Sequence, residues 1–383
     1  MKESKMDIFI SGDFAPQLRV NKIIQKKEFD KLYNDMLPLI KGADIAITNL
    51  EAPLIEGGTP IAKTGPNLKS PLNSIEALKY GGFKMVTLAN NHIMDYGEEG
   101  LYSTMEICKN NNIETIGAGN SLENAKKIKY KESKGKQIAF INVAENEWAT
   151  TQGNEAGANP LDEVGIFYSI NEAKQNADII VLIIHGGHET YELPSPRMKK
   201  LYRYFIDLGV DAVVGHHTHC FSGHEVYKNK LIVYSLGNFI FDNLHNRTNT
   251  SWNKGTAVML SISNSNKVDF KFHPFYQCNE KVGITLFNTK ENDEFKDEAN
   301  TKTKKIQDDR LLQLEFEKFM NSQKRMYKSF LEPTRNKYIL AAMNRGLLPR
   351  FIKGKKKNLL LNIIRCEAHR DIVEYILSKN NDK

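Results

Sequence analysis

Between Met6 and about Pro274, eight short runs of β-branched and apolar residues alternate with longer stretches of helical spacing. The runs cover residues 7–11, 45–49, 85–89, 138–143, 179–184, 212–215, 231–235 and 257–262. Near-continuous apolar strands belong to sheets covered on both faces, so the alternation predicts an α/β fold with a β-sheet core flanked by helices. The spacing predicts helices over 29–40, 71–80, 101–110 and 195–208, two of them opened by a proline that suits a first turn. Residues 286–306 are charged and poor in apolar side chains, which predicts a linker or exposed loop. That divides the 383 residues into a domain over 1–285, the linker, and a helical extension over 307–383, with helices expected near 308–330, 336–346 and 357–378.

In α/β sheets, ligands gather at the carboxyl ends of strands. Polar residues cluster there in this chain. Asp13 follows the first run, Asn49 and Glu51 the second, and Asn90, Asn91, His92 and Asp95 the third. His185 and Glu189 follow the fifth, and His216, His217 and His219 close the sixth. Taken singly, Asp13 suits a turn, Asn91 and His92 suit a helix cap, and His185 before two glycines suits a loop. Three imidazoles within four residues after an apolar strand fit metal binding better than packing.

These residue types share one chemistry. Imidazole nitrogen and carboxylate oxygen suit manganese, iron or zinc, and thiolates are not clustered: Cys108, Cys220, Cys278 and Cys366 form no CxxC pair. Two divalent ions about 3.5–4 Å apart need a bridging carboxylate and together activate water for attack on a phosphoryl group. Asp13, Glu51, Asn91, His185, His217 and His219 would suffice as ligands, and His92 is placed to protonate a leaving oxygen.

The motifs Gly12-Asp13, Asn49-Leu50-Glu51, Ala89-Asn90-Asn91-His92 with Asp95 and Gly97, His185-Gly186-Gly187 with Glu189, Gly215-His216-His217-Thr218-His219 and Tyr234 to Asp242 occur in this order. In them the chain resembles the CapA family of bacterial capsule and poly-γ-glutamate synthesis proteins, related to calcineurin-like metallophosphoesterases. The resemblance covers about residues 6–275 and implies a metallophosphoesterase-like layered fold. It implies that Asp13 and His219 hold one metal, that Asn91, His185 and His217 hold the other, and that Glu51 bridges them. It gives His92 and Asp95 catalytic places, and sets Asn49, Asn90, Glu189, His216, Asn238 and Asp242 around the ligands or at the substrate rim. Two positions depart from the phosphoesterase pattern. Asp13-Phe14-Ala15 stands for Asp-x-His, and Glu51 stands for an aspartate.

The implied function is metal-dependent hydrolysis of a phosphate ester or phosphoanhydride in capsule or other surface-polymer biosynthesis. The alternatives are a non-catalytic accessory role in that assembly and amide hydrolysis or transfer on a glutamyl polymer. A small-molecule, glycan or polymer precursor is the expected partner. Residues 291–383 hold 21 Lys+Arg and 14 Asp+Glu, which carries the whole of the net charge of +7. Apolar residues at helical spacing near the end predict a helix over one edge of the main domain, while the cations offer a surface for an acidic membrane or another polyanion. Nucleic acid is not expected, since no aromatics interleave with the lysines. With no apolar span at the start and scattered cysteines, the expected location is the cytoplasm, either free inside the cell or on the inner membrane face.

Overall fold

The computed structural model describes residues 5–63, 65–245, 248 and 250–365. Its strands, in chain order, are β1 (Met6–Phe14), β2 (Ile45–Leu50), β3 (Met85–Thr87), β4 (Glu114–Ile116), β5 (Ala118–Gly119), β6 (Lys129–Ser133), β7 (Lys136–Ala144) and β8 (Gly157–Ala158). There follow β9 (Ile179–His185), β10 (Ala212–His216), β11 (His224–Tyr227), β12 (Lys230–Val233), β13 (Asn238–Ile240), β14 (Lys254–Ile262), β15 (Val268–Gln277) and β16 (Ile284–Leu286). One large sheet has the order β16-β15-β14-β1-β2-β3-β4, with β13 paired to the end of β1, a second has the order β11-β12-β10-β9-β7-β6, and β5 pairs with β8 apart from both.

Side-chain parity explains the layers. Successive residues of a strand point to opposite faces. Met6, Ile8 and Ile10 of β1 therefore pack with Phe140, Val181, Ile183 and Val214 of the second sheet, and the two sheets lie face to face across one apolar core. Phe9 points the other way, into a second core with Ile24, Leu32, Ile75, Leu78 and Leu101 from helices outside the first sheet. Fully burying one such phenylalanine is worth roughly 2 kcal/mol. Helices Glu163–Asn176 and Pro196–Leu208 pack against strands of the second sheet. The architecture is thus helix, sheet, sheet, helix, with every central strand apolar on both faces.

Register then sets the site. Asp13 pairs in the ladder with Asn49 of β2 and with Asn238 of β13, while His185 of β9 pairs with His216 of β10. Gly12 permits the β13 approach: a Cβ there would lie 1.8 Å from the Gly237 carbonyl oxygen.

Three expectations meet corrections. The helix expected over 29–40 is broken into Asp30–Tyr33, a 3-10 turn Asn34–Met36, and Leu37–Gly42. Asn34 takes φ 41°, and its amide donates to the Ile284 carbonyl at 2.7 Å, so a tertiary bond overrides the local period. The linker expected over 286–306 is mostly the helix Thr289–Gln307, opened by a capping box between Asn288 and Glu291. Its Phe295, Ala299, Lys302 and Ile306 recur on one face and are buried, a stripe that overall charge conceals. The chain divides instead at Gln313/Leu314 into two compact units.

After the helix Thr289–Gln307 come the helices Asp309–Phe330, Lys337–Asn344 and Gly354–Arg365, and the expected helical stretch after 365 lies outside the described residues. No helix among the described residues is long and apolar enough to cross a membrane. Cys108, Cys220 and Cys278 are free and buried, and Cys366 lies outside the described residues.

Candidate metal centre

The carboxyl ends of β1, β2 and β3 meet those of β9 and β10 where the two sheets face each other, so the polar residues after five strands converge. His185 Nε2 lies 3.0 Å from Asn91 Oδ1, 3.1 Å from His217 Nδ1 and 3.5 Å from Glu51 Oε1. On the other side of Glu51, His219 Nε2 is 3.9 Å from Oε1, and His219 Nδ1 is 3.7 Å from Asp13 Oδ2. Two groups could each hold a metal ion, Glu51 with His185 and His217, and Asp13 with Glu51 and His219, and Glu51 belongs to both.

Glu51 supplies the test of fit. Both its oxygens are buried without a hydrogen-bond partner. An unpaired buried carboxylate is costly, and a cation is the partner that relieves it. Burial, joined by the charge of Asp13, pushes the Glu51 carboxyl well above its ordinary range. Burial also tends to push Asp13 up, but the imidazole of His216, 3.3 Å away, opposes it and the carboxyl is held low. Burial holds the His185 and His219 imidazoles below their ordinary range, in the neutral form that ligation needs. The donor set fits one or two divalent ions.

Surrounding amides fix the ring orientations. Asn238 Nδ2 donates to the carbonyls of His219 and Trp252, so its Oδ1, 2.9 Å from His219 Nδ1, must accept. His219 then carries its proton on Nδ1 and keeps the Nε2 lone pair toward Glu51. Asn49 is fixed the same way: its Oδ1 accepts from Thr87 and Asn90, and its Nδ2 reaches Asp13 at 2.8 Å and His185 Nδ1 at 3.2 Å. His217 and His219 hold φ at 91° and 58°, a left-handed backbone that non-glycine residues seldom adopt. That conformation aims two imidazoles from one loop at opposite sides of Glu51.

The other expected residues divide. His92 Nδ1 is 2.6 Å from Asp95 Oδ2, and Asp95 also accepts from the Leu68 backbone and pairs with Lys63, so Asp95 positions the ring. Asn90 accepts from the His92 backbone at 3.1 Å and orients the same turn. His216 is buried beside Asp13, with neither ring nitrogen in a hydrogen bond. Glu189 is exposed at the cleft. Asp242 is engaged by Arg19, whose Nη2 donates to Oδ1 at 2.7 Å, and forms wall structure. Ala15, where a histidine would follow the aspartate motif, packs with Ala52 and Phe241.

A cleft of about 490 Å³ opens over Asn91, His92 and His219 and is bounded by Lys63, Glu147 and Trp252. A larger groove of about 1100 Å³ lies along the Glu114–Ile116 edge, but it has no histidine in its lining. Sequence reasoning left Lys63 and Trp252 unassigned. Lys63 Nζ sits 3.2 Å from His92 Nδ1 with its side chain 3% exposed, and Trp252 lies 4.7 Å from the His219 ring. Nothing in a loop lysine or a distant tryptophan announced either position.

A family model described as "Bacterial capsule synthesis protein PGA_cap" matches residues 7–243. The chain belongs to this family. The PGA_cap match contains every residue of the centre and ends before Trp252 and the C-terminal helices. Capsule biosynthesis protein CapA of Bacillus anthracis is 31% identical over 274 residues, covering 67% of each chain. PGA biosynthesis protein CapA of Bacillus subtilis (strain 168) is 35% identical over 245 residues, which cover 63% of this chain and 64% of the relative. The chain thus spans about two thirds of the length of these relatives. Among solved structures, a novel phosphatase of Mycoplasma pneumoniae aligns with a TM-score of 0.47 at 15% identity, over 72% of this chain and 94% of that one. A putative 5'-nucleotidase from Staphylococcus aureus gives 0.42 at 15% identity, over 76% and 57%.

Proposed function

We propose that this chain is a metal-dependent hydrolase of surface-polymer biosynthesis, acting on a phosphate ester or phosphoanhydride. The observation that carries the proposal is Glu51, an unpaired buried carboxylate shared by two ligand groups. Divalent ions held there supply an activated water and neutralise charge on phosphoryl oxygens. The protein's own groups do the rest. Asp95 Oδ2 only accepts, so His92 Nδ1 carries a proton and Nε2 is the nitrogen left for the cleft. A charged His92 can then protonate a leaving oxygen from Nε2. Lys63 adds a fixed cation beside that ring, where an anionic group would rest. Family membership supports capsule or poly-γ-glutamate assembly as the setting.

The test is to purify the chain without chelator, quantify manganese, iron and zinc, and assay phosphomonoester and phosphodiester hydrolysis beside His217→Ala/His219→Ala. Bound metal and hydrolysis lost together in the double variant support the reading. Metal without hydrolysis favours an accessory role or glutamyl amide chemistry instead. No metal after reconstitution rejects the centre.

A further inference from the structure

The described residues from Leu314 to Arg365 present the wrong surface for a body that keeps only water around it. Among the described residues of 314–365, fourteen large hydrophobic residues are exposed and one, Met343, is buried; among those of 5–313 only ten are exposed, against a core of many dozens. Phe330, Tyr338 and Leu347 are 69%, 74% and 73% exposed. In the helix Asp309–Phe330, Met326, Tyr327 and Phe330 recur at helical spacing and open one apolar stripe. Short helices without a core of their own are marginal in water, so such a stripe calls for a covering surface.

Charge names the surface. The same 52 residues hold thirteen Lys+Arg and three Asp+Glu, and residues 333–365 hold nine cations and no acid. The cations alternate with the apolar residues: Arg350 and Lys353 flank Phe351, and Lys355, Lys356 and Lys357 lead directly into Leu359 and Leu361. A second copy of the chain would have to bring the same positive charge against itself. A soluble polyanion would pair the lysines and leave the apolar side chains in water. An anionic bilayer satisfies both sets, with acyl chains below and acidic headgroups around.

We propose that residues 314–365 form a basic amphipathic surface that lies on an anionic phospholipid leaflet. The helices are placed in the interface and not across it, since no helix among the described residues is long and apolar enough to span. This holds whether or not the metal centre is a hydrolase.

The test is co-sedimentation of the full chain with phosphatidylcholine vesicles, alone or with about one-third phosphatidylglycerol, at physiological salt. Two variants accompany it, Leu347→Ser/Leu348→Ser/Phe351→Ser and Lys353→Gln/Lys355→Gln/Lys356→Gln/Lys357→Gln. The wild-type chain should bind anionic vesicles at least about tenfold more tightly than neutral ones, and each variant should lose about that factor. Hydrogen exchange across 314–365 should slow on vesicles in the wild-type chain, a readout independent of how the variants fold. Equal binding to neutral vesicles, or full binding by the serine variant, would overturn the proposal. So would capture of soluble polyglutamate that depends on the lysines alone, or a serine variant that only turns a dimer into a monomer.

Discussion

Replacing Glu51 by glutamine separates charge from shape. Without metal, burial keeps the wild-type side chain a neutral carboxyl at the cost of taking up a proton, a cost glutamine lacks, so Glu51→Gln in the chelated protein should unfold at higher urea, a gain of about 1–2 kcal/mol. With manganese or zinc at about a hundred times its dissociation constant, the wild type should gain about 2.7 kcal/mol and the variant much less. Denaturant melts with and without metal check both signs. Lys63 answers a different question. Lys63→Ala should lower kcat/KM on an anionic ester by about tenfold to a hundredfold while metal content stays unchanged, and Lys63→Arg should recover part of it. A loss of metal in Lys63→Ala would show that the lysine merely supports the fold. At this scale the ligand types were legible in the sequence, because three imidazoles after one strand have few structural uses. Lys63 was not, because its value lies in a contact with His92 from 29 positions away.

Elements bring these residues within reach, and the junction of β1 with β13 is the tightest example. Gly12→Ala would drive a methyl into the Gly237 carbonyl oxygen, 1.8 Å away, beside the ladder that fixes Asp13. A loss of about 3 kcal/mol in urea unfolding is expected, with metal affinity falling in parallel. Wild-type stability in that variant would mean β13 can retreat freely. Central strands were readable because burial on both faces writes a solid apolar run. The strand β15 (Val268–Gln277) was missed although Val268, Phe270 and Phe272 alternate with Asp269, Lys271 and His273, a period-two signal cut short by Pro274. The helix Thr289–Gln307 is hidden by its charged composition, although Phe295, Ala299 and Ile306 mark one face at helical spacing.

For the molecule as a whole, acid stability follows from imidazoles buried neutral. His224 packs 4.9 Å from Phe272 with its Nδ1 unpartnered, and burial lowers it from 6.5 to about 4. Burial lowers His273 to about 4 as well. The unfolded chain therefore binds protons that the folded chain refuses between pH 6.5 and 4. The stability these groups contribute is present above pH 6.5 and is lost as pH falls toward 4. At roughly 1.4 kcal/mol per pKa unit, His224 accounts for up to about 3 kcal/mol of that loss. Urea midpoints from pH 7 to 4.5 should fall in the wild type and fall less in His224→Leu; parallel slopes would assign the loss elsewhere. The sequence by itself determined the α/β class, the strand-end clustering of Asp13, Glu51, Asn91 and the histidines, and the excess of cations near the C-terminus, because periodicity, residue chemistry and charge are local properties. Only the tertiary structure decided that two sheets meet face to face, that Glu51 stands unpaired between two candidate ligand groups, that Lys63 reaches His92, and that fourteen large apolar residues described between Leu314 and Arg365 are exposed. Each of these depends on which distant segments share a surface, which no single stretch of sequence encodes.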